Sequence, residues 1–277
     1  MNKKLLAAAA CTFVLGPNCL LAADFPILKA PAPAAISIWT GFYAGLGLGI
    51  RSSVVTSRTT SITENGVPDA CPFSPPATTE CLFSLPLNDT GFRFSFYGGF
   101  NWQIDPTVLI GIEADAGWAR KATTLFGSAF PGGPFIASGF NTDHVSVTPV
   151  WDASIRVRAG YLVTPSFLMY ATGGAAWLNF SSTLTCGLDP VGTCDGVFVP
   201  PFTRTSHATP VGWTLGGGIE TRVLRHILIR GEYRYADFGT VKFTESNQGA
   251  TFNVFNYEVH PRTHTALFGI AYLFGNL

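Results

Sequence analysis

Phe92-Arg93-Phe94-Ser95-Phe96-Tyr97-Gly98-Gly99-Phe100-Asn101-Trp102-Gln103-Ile104-Asp105-Pro106 changes character at every step. Phe92, Phe94, Phe96, Phe100, Trp102 and Ile104 share one parity, and Arg93, Ser95, Tyr97, Asn101 and Gln103 the other. A period of two belongs to a β-strand, whose successive side chains point to opposite faces. Asp105-Pro106 then predicts a tight turn.

The same pattern recurs on both sides of this stretch. Before it, Phe42, Ala44, Leu46, Leu48 and Ile50 oppose Gly41, Tyr43, Gly45, Gly47, Gly49 and Arg51. After it, a third segment sets Val108, Ile110, Ile112, Ala114, Ala116 and Trp118 against Glu113, Asp115 and Lys121. A fourth sets Trp151, Ile155, Val157, Tyr161 and Val163 against Asp152, Arg156 and Arg158. The fifth, residues 167–181, has no charge and an adjacent Gly173-Gly174, so its phase stays open. In the sixth Val211, Trp213, Leu215 and Ile219 oppose Glu220 and Arg222; in the seventh Ile227, Ile229, Tyr233 and Tyr235 oppose Arg230, Glu232 and Arg234. The eighth places His264, Ala266, Phe268, Ile270, Tyr272 and Phe274 opposite Thr263, Thr265 and Gly269.

Tight turns are predicted near Asp105, Pro165 and Leu224. Long polar connections are predicted over 56–90, 125–147, 182–208 and 246–258. Short turns on one side and long loops on the other are how outer-membrane barrels are built, with the loops outside the cell.

Alternation also suits a soluble sandwich or barrel, with the greasy face as its core. Three features favour lipid instead. The segments run to about 13 to 18 residues, whereas globular strands usually run about 3 to 10 and tilted membrane strands need about 9 to 11. Tryptophans gather at segment ends, Trp39 and Trp102 on the turn side and Trp118, Trp151, Trp177 and Trp213 on the loop side, with Tyr161 and Tyr272 nearby, as two interfacial girdles would. Glycine is abundant on both faces, which weakens a soluble strand but leaves room in a narrow closed barrel for long side chains from the opposite wall. The predicted fold is an all-β, eight-stranded antiparallel up-and-down transmembrane barrel, since closure satisfies every backbone group that lipid cannot.

Composition agrees. Charged residues make up 12% of the 277 residues and aromatics 13%, against about 25% charged in a soluble globule. With 17 basic and 17 acidic residues, nothing points to a nucleic-acid partner. Lys3 and Lys4, the apolar run from Leu5 to Leu15, and Leu20-Leu21-Ala22-Ala23 read as a cleavable signal peptide over 1–23. Residues 24–37, with three prolines among alanines, read as a periplasmic tether, and 38–277 as the barrel.

Cleavage would remove Cys11 and Cys19 and leave Cys71, Cys81, Cys186 and Cys194 in an oxidising compartment. Local disulfides Cys71 to Cys81 and Cys186 to Cys194 are expected, because short loops close at least entropic cost. Cross-loop pairing remains open.

A family resemblance emerges from Ala22-Ala23-Asp24-Phe25-Pro26, Trp39-Thr40-Gly41-Phe42-Tyr43, Gly111-Ile112-Glu113-Ala114-Asp115, Arg158-Ala159-Gly160-Tyr161, residues 170–176 (YATGGAA) and residues 230–239 (RGEYRYADFG). The chain resembles the outer-membrane immunogenic, or porin-family, group of OmpA-like and opacity-like small barrels. The resemblance implies residence in the outer membrane and insertion by the barrel-assembly machinery, which reads an aromatic final strand such as Tyr272-Leu273-Phe274. Gly275-Asn276-Leu277 departs from that pattern, as do the long first and third outer loops with their cysteine pairs.

Chemistry-bearing motifs are sparse. Thr205-Ser206-His207 and Asp143-His144 fall in predicted loops and lack an orienting third group, so no catalysis is expected. His260 and His264 lie about 13 Å apart on a strand by its rise per residue, too far to share a metal ion. No cofactor is called for. The partners expected are outer-membrane lipids, the assembly machinery and unidentified ligands of the outer loops. Expected function is therefore structural and surface-interacting, serving envelope integrity and recognition, with a small-solute porin, or a haem-binding surface protein using His144 or His207, as the alternatives.

What fills the barrel discriminates between them. The predicted inward charges are Arg93, Glu113, Asp115, Asp152, Arg156, Arg158, Glu220, Arg222, Arg230, Glu232 and Arg234. Buried charges persist only when paired, which predicts a cross-barrel network around Glu113, Asp115 and Glu232.

Overall fold

The computed structural model describes residues 39–64, 67–68, 84–126, 144–186, 202–246 and 253–274. They form β1 (Gly41–Glu64), β2 (Val67–Pro68), β3 (Ser84–Gln103), β4 (Val108–Trp118), β5 (Thr123–Phe126), β6 (His144–Thr164), β7 (Phe167–Cys186), β8 (Phe202–Ala208), β9 (Val211–Arg222), β10 (Ile227–Asp237), β11 (Val241–Ser246) and β12 (Asn253–Leu273). The ring runs β1-β3-β4-β6-β7-β9-β10-β12, each strand antiparallel to the next. It closes where β12 pairs with β1, from Tyr43↔Leu273 to Glu64↔Asn253. Eight strands thus leave no open edge within the ring, the condition lipid imposes.

One end carries the tight turns. In the first, the Thr107 amide and hydroxyl both donate to Asp105 Oδ1, at 3.1 and 3.0 Å. The second is Pro165-Ser166, and in the third Ile227 N donates to Leu224 O at 3.3 Å.

The outer wall is the greasy one: Phe42, Phe92, Val157, Leu215 and Phe268 are all exposed at 60% or more, as a surface dissolved in hydrocarbon must be. β7 resolves the phase left open by its sequence. Leu168, Tyr170, Thr172, Ala176, Leu178 and Phe180 point inward and are buried, while Met169 faces out.

The four stretches expected as loops contain much more strand than their sequences suggest. Within 56–90 β1 runs on to Glu64 and β3 begins at Ser84, β6 begins at His144, β7 reaches Cys186, β8 occupies residues 202–208, and β12 begins at Asn253. The greasy face stops at the rim, but alternation does not end there; its polarity reverses. On β12, Phe268 and Ile270 face out while Thr263 and Thr265 face in; further along, Tyr257 and Val259 are the buried residues.

Above the rim the wall opens into two sheets, β11-β12-β1-β3 and β5-β6-β7-β8. Val55, Tyr257 and Val259 of one pack with Val147, Leu178 and Phe180 of the other. Phe243 meets Phe180 edge-on, with centroids 6.0 Å apart. This extension is a small sandwich with an aqueous outside and an apolar inside. His144 and His207, expected in loops, stand on β6 and β8.

The signal peptide, the tether, and Cys71, Cys81 and Cys194 lie outside the described residues, as does the side chain of Cys186, whose backbone pairs with Phe202.

Candidate functional site

The lumen is filled in layers. At the turn end Leu109, Leu162, Leu168, Leu228 and Leu273, from five strands, point inward with Tyr43, Tyr97 and Tyr170. Trp39 completes this layer, and here the expectation of a girdle tryptophan is corrected: its indole is fully buried. Trp39 precedes β1, so strand parity does not govern it. Gly41, at φ 149°, supplies a backbone conformation that residues with a β-carbon rarely adopt. The chain thereby folds under the barrel, and Trp39 Nε1 donates to Pro165 O, 2.9 Å away in the β6–β7 turn on the opposite wall.

Above this stopper lies a layer of charge. Arg230 Nη1 donates to Glu113 Oε2 at 2.5 Å, and Arg156 Nη2 to Glu113 Oε1. Arg156 Nη1 also reaches Glu232 Oε1 at 2.8 Å. Arg234 grips Asp115 with two parallel bonds of 2.7 and 3.0 Å, the fork geometry that makes arginine–carboxylate pairs strong. Arg93 Nη2 bridges Asp115 at 2.6 Å and Asp152 at 2.5 Å. Arg158 faces Glu220 at 3.5 Å. Of the eleven predicted inward charges, ten meet in this layer; Arg222 is one inward position nearer the turn than Glu220 and is part-exposed.

Several members were not singled out from sequence. Arg51 donates to Asp152 Oδ1 at 2.5 Å and to Ala119 O at 2.6 Å. Three tyrosines fill space between the charges: Tyr43 OH donates to Glu113 at 2.6 Å, and Tyr170 OH to Glu232 at 2.9 Å. The Arg230 guanidinium lies 3.5 Å from the centre of the Tyr97 ring, and Arg158 4.2 Å from that of Tyr170, close enough for cation–π attraction. The signal was present, since Tyr43 and Arg51 share the glycine parity of their segment and Tyr97 the parity of Arg93. Glycines opposite make room: a β-carbon at Gly99 would stand 2.6 Å from the Tyr43 hydroxyl, and one at Gly218 2.8 Å from that of Tyr170.

The extension's apolar interior caps the charged layer from above. Most of the histidines lie on the outside or at the rim. His260 Nε2 meets Asp237 Oδ1 at 2.7 Å, His264 Nδ1 meets the Tyr233 hydroxyl at 2.7 Å, and His226 stacks on Tyr272 at the turn end. Among the described residues no cluster of three or more His, Cys, Asp or Glu could hold a metal ion.

Comparison with known proteins places this architecture. The chain is 26% identical to the 31 kDa outer-membrane immunogenic protein of Brucella melitensis biotype 1 over 278 residues, covering 99% of this chain and all of that protein. It is 29% identical over 148 residues to the 22 kDa outer membrane protein of Rhizobium leguminosarum bv. viciae, 53% of each chain. Among solved structures, the outer membrane protease OmpT of Escherichia coli aligns at TM-score 0.48 and 12% identity, over 84% of this chain and 97% of its own. Ail of Yersinia pestis aligns at 0.35 and 10%, over 83% and 99%. The model of the outer membrane protein beta-barrel domain matches residues 20–274, and the chain, a protein of the outer membrane, belongs to that family.

Proposed function

We propose that this barrel is a closed, non-catalytic scaffold of the outer membrane that contributes to envelope integrity and recognises partners through its outer extension, rather than an open pore. The supporting observation is the central layer, where Arg93 and Arg156 are fully buried and held by carboxylates of nearby strands and, through Glu232, from across the ring. An eight-stranded ring is only just wide enough for its own side chains. Here those side chains are bonded to one another and capped on both sides by apolar groups. A solute would have to break several ion pairs in a site of low dielectric, where each exposed partner carries a large desolvation cost. Closure of this kind leaves the surface above the rim as the place where partners meet the protein.

Planar-bilayer recordings of the refolded protein test the proposal. Little conductance is expected from the intact barrel, rising after Glu113→Ala or Arg156→Ala. Steady, large single-channel conductance in the intact barrel would overturn it in favour of a small-solute porin.

A further inference from the structure

On the lipid side of β9, β10 and β12 the wall carries charge where the rest of the band carries hydrocarbon. Trp213, exposed at the outer girdle, shares its row with Asp237, which pairs in turn with Arg262. One row deeper stand Tyr235 and His264. The alternation of β12 places Arg262 outward, since its neighbours Pro261 and Thr263 are buried inside.

The carboxylate in this patch is already engaged. Asp237 accepts from His260 at 2.7 Å, from the Tyr235 hydroxyl at 3.2 Å and from the Gly239 amide at 2.9 Å. Arg262, opposite Asp237 in register, makes no ion pair among the described residues, and its side chain is hydrogen-bonded to the Tyr235 hydroxyl. The nearby Lys242 and Glu258 satisfy each other at 3.4 Å. The Tyr233 hydroxyl and His264 Nδ1 share a hydrogen bond of 2.7 Å, a contact that does not involve His264 Nε2. Two rings flank these side chains: Trp213 and Tyr235 lie 5.5 Å apart, and Tyr235 and His264 5.2 Å.

We infer that this patch binds the phosphorylated sugar headgroup of a glycolipid in the outer leaflet. Arg262 and His264 supply donors to a phosphate, and the Trp213 and Tyr235 rings supply apolar faces for the sugar. Depth selects the ligand. At the row of the girdle tryptophan a lipid-facing cation meets headgroups, and basic pockets at that level take anionic ones. In the outer leaflet of an outer membrane these are the phosphorylated glucosamines of lipid A. The inference is independent of whether the lumen conducts.

Native mass spectrometry of the full barrel in neutral detergent tests it, with bisphosphorylated lipid A and the same lipid after dephosphorylation as probes. The intact protein should retain the phosphorylated form at least tenfold more tightly. Arg262→Gln should abolish that preference and Tyr235→Ala should weaken binding severalfold, while Lys242→Gln should leave both unchanged. Heat-shifted mobility shows whether each variant has folded. Equal retention of the two lipids by the intact protein overturns the inference whatever the variants do, and so does an undiminished preference in folded Arg262→Gln.

Discussion

Strands β1, β6, β7 and β12 each pass through two solvents, and the same fold rule yields opposite chemistry in each. Within the membrane the inward residues of β6 are Ser154, Arg156 and Arg158 and the outward ones Ile155 and Val157; above the rim Val147 is the buried residue and Ser146 and Thr148 flank it on the outside. The hydrophobic effect removes apolar area from water and nothing else. Where lipid bathes the wall, apolar groups gain nothing by hiding, so the interior is left to polar groups that hydrocarbon would not tolerate. Where water bathes it, the usual inside-out order returns. The lower interior is therefore held by directed ion pairs and the upper one by packing, which differ in how they fail.

The largest effect should come from stranding charge. Glu113→Ala removes the acceptor shared by Arg156, Arg230 and Tyr43, and breaking one side of a buried pair costs about 3–5 kcal/mol. Urea unfolding in lipid vesicles should show the whole ring destabilised. If the loss is below about 1 kcal/mol, water rather than protein compensates these arginines, and the contrast between the two regions collapses.

Phe180→Ala should cost about 3 kcal/mol by emptying packed volume, but locally. Limited proteolysis should cut the extension sooner while the heat-shifted mobility of the ring is unchanged. Smaller still is Val259→Thr, which puts a hydroxyl among Val55, Tyr257 and Phe180, at about 1–2 kcal/mol, read by the same proteolysis. At the bottom, Lys242→Ala removes a surface pair with Glu258 worth about 0.5 kcal/mol or less and should be silent in both assays; a visible effect would mean that the extension depends on charge after all.

This contrast also explains what could be read from the sequence. The eight ring strands, their order and their tight turns follow from parity and from Asp105-Pro106 and Pro165-Ser166, because a greasy face in lipid is a continuous signal. The extension was lost because its phase reverses: Val55, Tyr257 and Val259 sit on the parity that had been the polar one, so each segment looked finished too early. Inward charges were legible for the same reason as the strands. Arg51 was harder, since it lies where the greasy face of its segment ends and parity alone does not say how deep it sits. Trp39 was illegible as a stopper, because its burial depends on a bend at Gly41 and on a carbonyl 126 positions away in sequence.

That bond has a mechanical meaning. The ring has one seam, between its first and last strands, and a pull on the chain ahead of β1 would be expected to peel that seam. Trp39 instead anchors the entering chain to the turn joining β6 and β7, across the mouth from the seam. A load applied to the chain ahead of β1 is carried first by the far wall, and it reaches the β1–β12 ladder only after the indole has been drawn out of its leucine socket.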